Sequence, residues 1–113
     1  LANFLRQKQT GEPLTIVGDG EQRRDFVYAG DVAIANIKAA EWLKTATKFE
    51  VFNIGSGVNY SINEVADMID PGGARISLPP RIEPKQGLAD ISKAKEILGW
   101  QPALDLKTWI ARR

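Results

Sequence analysis

Val17-Gly18-Asp19-Gly20-Glu21-Gln22-Arg23-Arg24-Asp25-Phe26-Val27-Tyr28, with Gly30-Asp31-Val32-Ala33 just beyond it, reads as strand, tight turn, strand and capped helix. Leu14 to Val17 is an apolar run with β-branched members, and Asp19-Gly20 is a turn dipeptide that accepts a positive φ. Asp25 to Tyr28 is expected to return as a short strand, making a central hairpin. Asp31 stands where an N-cap belongs, ahead of Val32-Ala33-Ile34-Ala35. The turn presents two arginines beside two glycines, on a backbone with little side-chain cover. On composition alone this is a solvated hairpin. The same geometry also lets a guanidinium approach an anion such as a phosphate.

The flanking segments alternate helices and strands. Leu1 to Gln9 is expected to be helical, with Leu1, Phe4 and Leu5 on one face, and Gly11 and Pro13 end it. Asp31 to Leu43 carries Ala33, Ile37, Ala40 and Leu43 at helical spacing, which predicts a core-facing stripe. Phe49 to Ile54 reads as a buried strand. Ser61-Ile62-Asn63-Glu64 has the pattern of a capping box opening a helix through Ile69. Arg75 to Leu78 predicts a short strand, and Pro79-Pro80 holds the chain extended. Lys93 to Leu98 predicts a helix capped by Ser92 or Asp90 and stopped by Gly99, and Asp105 is expected to cap a last helix. The fold class is therefore α/β, a small mixed sheet with helices packed on it, and residues 1–113 are expected to form one domain around one core.

Composition narrows the chemistry. The 113 residues are 43% hydrophobic and 26% charged, with a net charge of +1, which suits a soluble globular chain and argues against nucleic-acid or membrane-surface partners. Cysteine and histidine are both missing, so disulfides, thiolate catalysis and the commonest metal ligand are excluded, and no metal site is expected. No apolar run approaches a membrane span, and the expected location is cytoplasmic. The chain opens on Leu1, inside a predicted helix, so it is expected to be a piece of a longer protein.

Three blocks carry a resemblance. Gly18, Asp19, Gly20, Gln22, Arg24, Asp25, Phe26, Tyr28, Asp31, Val32 and Ala33 form the first. Phe52-Asn53-Ile54-Gly55-Ser56-Gly57, with Ser61 and Glu64 downstream, forms the second. Ala89-Asp90-Ile91-Ser92-Lys93-Ala94-Lys95, then Leu98-Gly99-Trp100 and Pro102, forms the third. In this order and spacing they resemble the carboxy-terminal part of the extended short-chain dehydrogenase/reductase family, the NAD-dependent nucleotide-sugar epimerases and dehydratases.

That resemblance implies a substrate-binding region of an extended Rossmann-type enzyme, without its amino-terminal NAD-binding Rossmann domain. In the complete enzyme, expected to be a homodimer, NAD oxidises the sugar transiently and a tyrosine moves the proton. Here Tyr28 is followed four residues on by Val32, and Tyr60 by Glu64, so neither makes the family's Tyr-x-x-x-Lys pair. Gly55-Ser56-Gly57 is too short for a dinucleotide turn and reads as a strand-to-helix loop. No catalytic or cofactor-binding residue is therefore assigned, and the chain alone is expected to be inert.

The implied ligand is a UDP-sugar. By resemblance Arg24 corresponds to the arginine that pairs with the diphosphate, and Arg81 to the arginine after the prolines. Glu83 would accept from ribose hydroxyls, although it lies two residues after Arg81 rather than the family's three. Thr15 and Val17 would offer backbone groups to the base edge. Arg23 is expected on the opposite face of its strand. Asp25, Asp31, Asn53 and Asp90 read as structural, and Trp42, Trp100 and Trp109 as core or interface. Epimerisation of UDP-glucose, or of its N-acetylated relative, is the leading implied reaction. Alternatives are dehydration of dTDP-glucose, decarboxylation of UDP-glucuronate, or a stand-alone module that binds nucleotide sugars without chemistry.

Overall fold

A computed structural model describes residues 1–113. The chain divides into two compact units, one of Leu1–Arg24 with Tyr60–Gly87, the other of Asp25–Asn59 with Leu88–Arg113. A single core is expected from the sequence, but each unit has its own.

In the first unit, α1 (Ala2–Thr10) is followed by β1 (Leu14–Val17), and α3 (Ile62–Ile69) by β4 (Arg75–Leu78). β1 and β4 pair in parallel, Leu14 opposite Arg75 and Val17 opposite Leu78. Phe4, Leu14, Ile16, Val65, Ala66 and Ile69 are buried and make up this core. α1 ends where Gly11 adopts the left-handed conformation at φ 76°, as its Gly-Glu-Pro sequence predicts. α3 opens with the predicted capping box: Glu64 N–H donates to Ser61 Oγ at 3.0 Å, and Ser61 N–H donates to Glu64 Oε2 at 3.1 Å.

The expected central hairpin does not form. β2 is Arg23–Asp25, not residues 25–28, and its partner is β3 (Asn59–Ser61) rather than β1. The reason lies in the turn. Gly18 and Gly20 both take positive φ, at 65° and 73°, and swing residues 18–22 onto the start of α3. There Asn63 N–H donates to Gly20 C=O at 3.0 Å and Ile62 N–H to Gln22 C=O at 3.0 Å. Asn63 Nδ2 adds a bond to Asp19 C=O at 2.8 Å. The turn is thus fastened to a helix instead of folding two strands back on each other.

The second unit holds α2 (Ala29–Leu43), a π-helical turn at Ala94–Leu98 and α4 (Leu106–Ala111). Its core is Ala35, Ile91, Ala94 and Trp100, with Phe52, Ile54, Ala89 and Leu98 packed against it. Trp42 meets Phe52 edge-on, ring centroids 5.4 Å apart. Gly99, at φ 64°, ends the π-helical turn, and Asp105 caps α4 by accepting from Thr108 N–H at 2.8 Å.

Three expectations fail in this unit. Asp31 is not an N-cap, because α2 begins two residues earlier, with Tyr28 at that position. Asp31 instead lies buried in the first turn, where its carboxylate accepts from Ala103 and Leu104 N–H at 3.0 and 3.1 Å. Its carbonyl accepts from the Trp100 indole at 2.9 Å. The predicted stripe of α2 faces outward, with Ile37 59% and Leu43 66% exposed, while Asp31 and Ala35 are the buried positions. Phe49 to Ile54 forms no strand. Its side chains still alternate, Phe52 and Ile54 inward and Phe49 and Val51 exposed, but a strand needs a ladder and this segment has no partner. No helix is long and apolar enough to cross a membrane.

Candidate nucleotide-sugar site

The first unit carries a cleft of about 770 Å³. One wall is the turn after β1, with Val17, Gly18, Asp19 and Gln22, and the other follows β4, with Leu78, Pro80, Arg81, Glu83 and Lys85. A glycine is needed at position 18: its φ is positive, and a Cβ there would stand 3.4 Å from Pro80 Cβ. The extended Pro79-Pro80 run therefore lies close against the turn, and the two walls face each other.

Side chains across the cleft are linked through Glu83. Arg24 donates to Glu83 Oε2 at 3.0 Å, and Gln22 Nε2 to Glu83 Oε1 at 3.1 Å. Gln22 Nε2 also donates to Val17 C=O at 3.1 Å, which ties the end of β1 to the same group. A second Arg24 nitrogen donates to Arg23 C=O at 2.8 Å. Arg23 points elsewhere, to Glu64 at 3.2 Å, in keeping with strand alternation. The Glu64 carboxyl is held below the usual carboxylate range, first by the Ser61 N–H and then by Arg23.

Of the five residues expected to bind ligand, Val17, Arg81 and Glu83 line the cleft. Arg24 does not line it and reaches it through Glu83. Thr15 stands apart. Its N–H donates to Gln7 Oε1 at 3.2 Å, and its hydroxyl accepts from Gln7 Nε2 at 3.0 Å. Since β4 takes the Leu14 and Gly18 N–H groups, the main-chain groups of Thr15 and Val17 face away from it. Sequence reasoning missed Gln7, buried three residues after Phe4 on the same face, and Gln22, whose amide reaches Glu83 sixty-one positions away. For Gln7 the helical spacing was a usable signal. For Gln22 the signal is its place in the first of the three blocks.

The glycine loop of the second unit is already committed. Asp25 accepts from Ser56 N–H at 2.7 Å, Ser56 Oγ at 2.6 Å, Gly57 N–H at 3.1 Å and Ala89 N–H at 3.3 Å. A dinucleotide pyrophosphate needs such N–H groups free, so this loop does not fit NAD. The structural reading of Asp25 is supported by the same bonds.

Comparison with known proteins adds the family. Residues 1–55 match the family described as the NAD dependent epimerase/dehydratase family. A Methanocaldococcus jannaschii protein provisionally named UDP-glucose 4-epimerase is 46% identical over 96% of this chain. The chain belongs to the NAD-dependent epimerase/dehydratase family. Its α/β fold agrees: the crystal structure of Thermotoga maritima UDP-glucose 4-epimerase with UDP-glucose matches 95% of the chain at a TM-score of 0.80 and 34% identity. UDP-glucuronic acid decarboxylase 4 of Arabidopsis thaliana is 34% identical over 95% of the chain. The chain spans only part of these epimerase/dehydratase relatives, 35% of the first two and 24% of the third.

Proposed function

We propose that residues 1–113 are the carboxy-terminal, nucleotide-sugar-binding portion of an NAD-dependent UDP-glucose 4-epimerase, and that the cleft of the first unit is the site. The observation that carries this reading is the convergence of Val17, Arg81 and Glu83 on one cleft, with Arg24 bonded to Glu83 behind them. Arg81 takes the diphosphate, since a planar guanidinium can bond two phosphate oxygens at once. Glu83 turns from Arg24 to the ribose hydroxyls, and Arg24, so released, pairs with the diphosphate as well. The main chain of Val17 reads the base, with Thr15 behind it. Binding here fixes the sugar's position, which is a contribution to orientation and not to bond making.

NAD belongs to the part of the enzyme outside this chain, in keeping with the occupied Asp25 loop. A homodimer in the cytoplasm completes the reading. A second reading, UDP-glucuronate decarboxylation, is favoured by the 34% identity to the Arabidopsis decarboxylase. Both reactions start from a UDP-sugar and use the same cleft.

Calorimetric titration of the 113-residue chain with UDP-glucose tests the proposal. Binding in the micromolar range or weaker is expected, with Arg81→Ala and Arg24→Ala each weakening it about tenfold through loss of a charged hydrogen bond. Affinity unchanged in both variants would contradict it.

A further inference from the structure

The charged groups on the wall of the cleft are unequally engaged. Every carboxylate there already accepts a hydrogen bond. Asp19 accepts from Glu21 N–H at 2.9 Å, Glu21 from Asn63 Nδ2 at 2.7 Å, and Glu83 from Gln22 and Arg24. The two wall cations, Arg81 and Lys85, make neither an ion pair nor a side-chain hydrogen bond. The main chain of Lys85 is nevertheless fixed. Arg23 N–H donates to Lys85 C=O at 2.8 Å, and Gly87 N–H donates to Arg23 C=O at 2.9 Å. Lys85 is thus a free ammonium group on an anchored stretch of backbone.

Resting on the nucleotide-sugar reading of the cleft, we propose that Lys85 is a further diphosphate-binding residue, acting beside Arg81. Three carboxylates stand on the wall, and Arg24 is bonded to one of them. Arg81 and Lys85 balance the other two, so the site is neutral before ligand enters. Without Lys85 the wall would be net negative and would repel an incoming diphosphate. Lys85 and Arg81 also act first in time. They are available on arrival, whereas Arg24 becomes available only after Glu83 has let go.

The test titrates the full chain, Lys85→Met and Lys85→Arg with UDP and with uridine, each variant first checked for an unchanged melting temperature. Lys85→Met keeps the length of the side chain and removes its charge. It is expected to weaken UDP binding about tenfold, the loss of one charged contact. It should leave uridine binding unchanged, and Lys85→Arg should restore UDP affinity. Wild-type affinity for UDP in Lys85→Met overturns the assignment of Lys85 while leaving the cleft as the site. Equal weakening toward UDP and uridine also overturns it, because a phosphate contact cannot act on uridine. Failure of the unaltered chain to bind UDP overturns the underlying reading, and the Lys85 assignment with it.

Discussion

Asp31 shows how far one residue's role depends on partners remote in sequence. Its place before an apolar run reads as an N-cap, yet its carboxylate bonds Ala103 and Leu104 N–H, more than seventy positions on. That it satisfies backbone donors is legible in the sequence; which donors it satisfies cannot be read from neighbouring residues. Asp31→Ala leaves both N–H groups without their acceptor at a part-buried site and is expected to cost about 1–2 kcal/mol, measured as a lower urea midpoint. Gly20 is legible by contrast, because Asp-Gly announces a positive φ. Gly20→Ala forces an L-residue to φ 73° and drives its Cβ toward Asn63 and Ile16. A loss of at least about 1–2 kcal/mol is expected from the backbone alone. Among the site residues, Arg24 and Glu83 were both named from the sequence, but their bond to each other was not. Fifty-nine residues separate them, and only the fold brings them to 3.0 Å.

Elements stopped or capped by local chemistry were the legible ones. α3 begins at Ser61 and α4 at Asp105 because side-chain oxygens there accept from N–H groups three residues on. Elements that need a distant partner were not. β1 finds β4 instead of β2, Phe49 to Ile54 stays unpaired, and the outward stripe of α2 obeys helical spacing while facing solvent. The carboxyls of Glu64 and Asp105 are both lowered, chiefly by the Ser61 and Thr108 N–H groups respectively. A depressed carboxyl stabilises the fold fully above its unfolded pKa, about 4, and that support is lost as pH falls through the lower folded value. Stability should therefore fall below about pH 4, and Glu64→Gln should show a shallower fall alongside lower stability at neutral pH, as read from urea midpoints across the acid range. The exposed Ile34, Ile37 and Leu43 make α2 an uncovered apolar face. Concentration-dependent self-association is expected in sedimentation, and Ile37→Lys with Leu43→Lys should reduce it.

Across the whole molecule, the three sequence blocks are distributed over two compact units. The first block runs across the change of unit, with Gly18 to Arg24 in one and Asp25 to Ala33 in the other. The family was legible because these blocks hold turn glycines and a helix cap, Ser61, whose roles are set by neighbouring residues. The division into units was not, since it depends on contacts between segments far apart in the chain. The candidate cleft lies wholly within the first unit, and the second cleft, around Ser56, Ala89 and Lys95, lies wholly within the second. This separation lets one titration show whether the first unit holds the nucleotide. Amide resonances of the chain would be followed as UDP is added to saturation. Shifts are expected at residues 17–22 and 78–85, with those of 56–58 and 88–95 unmoved. Shifts confined to the second set, or none at saturation, would contradict it.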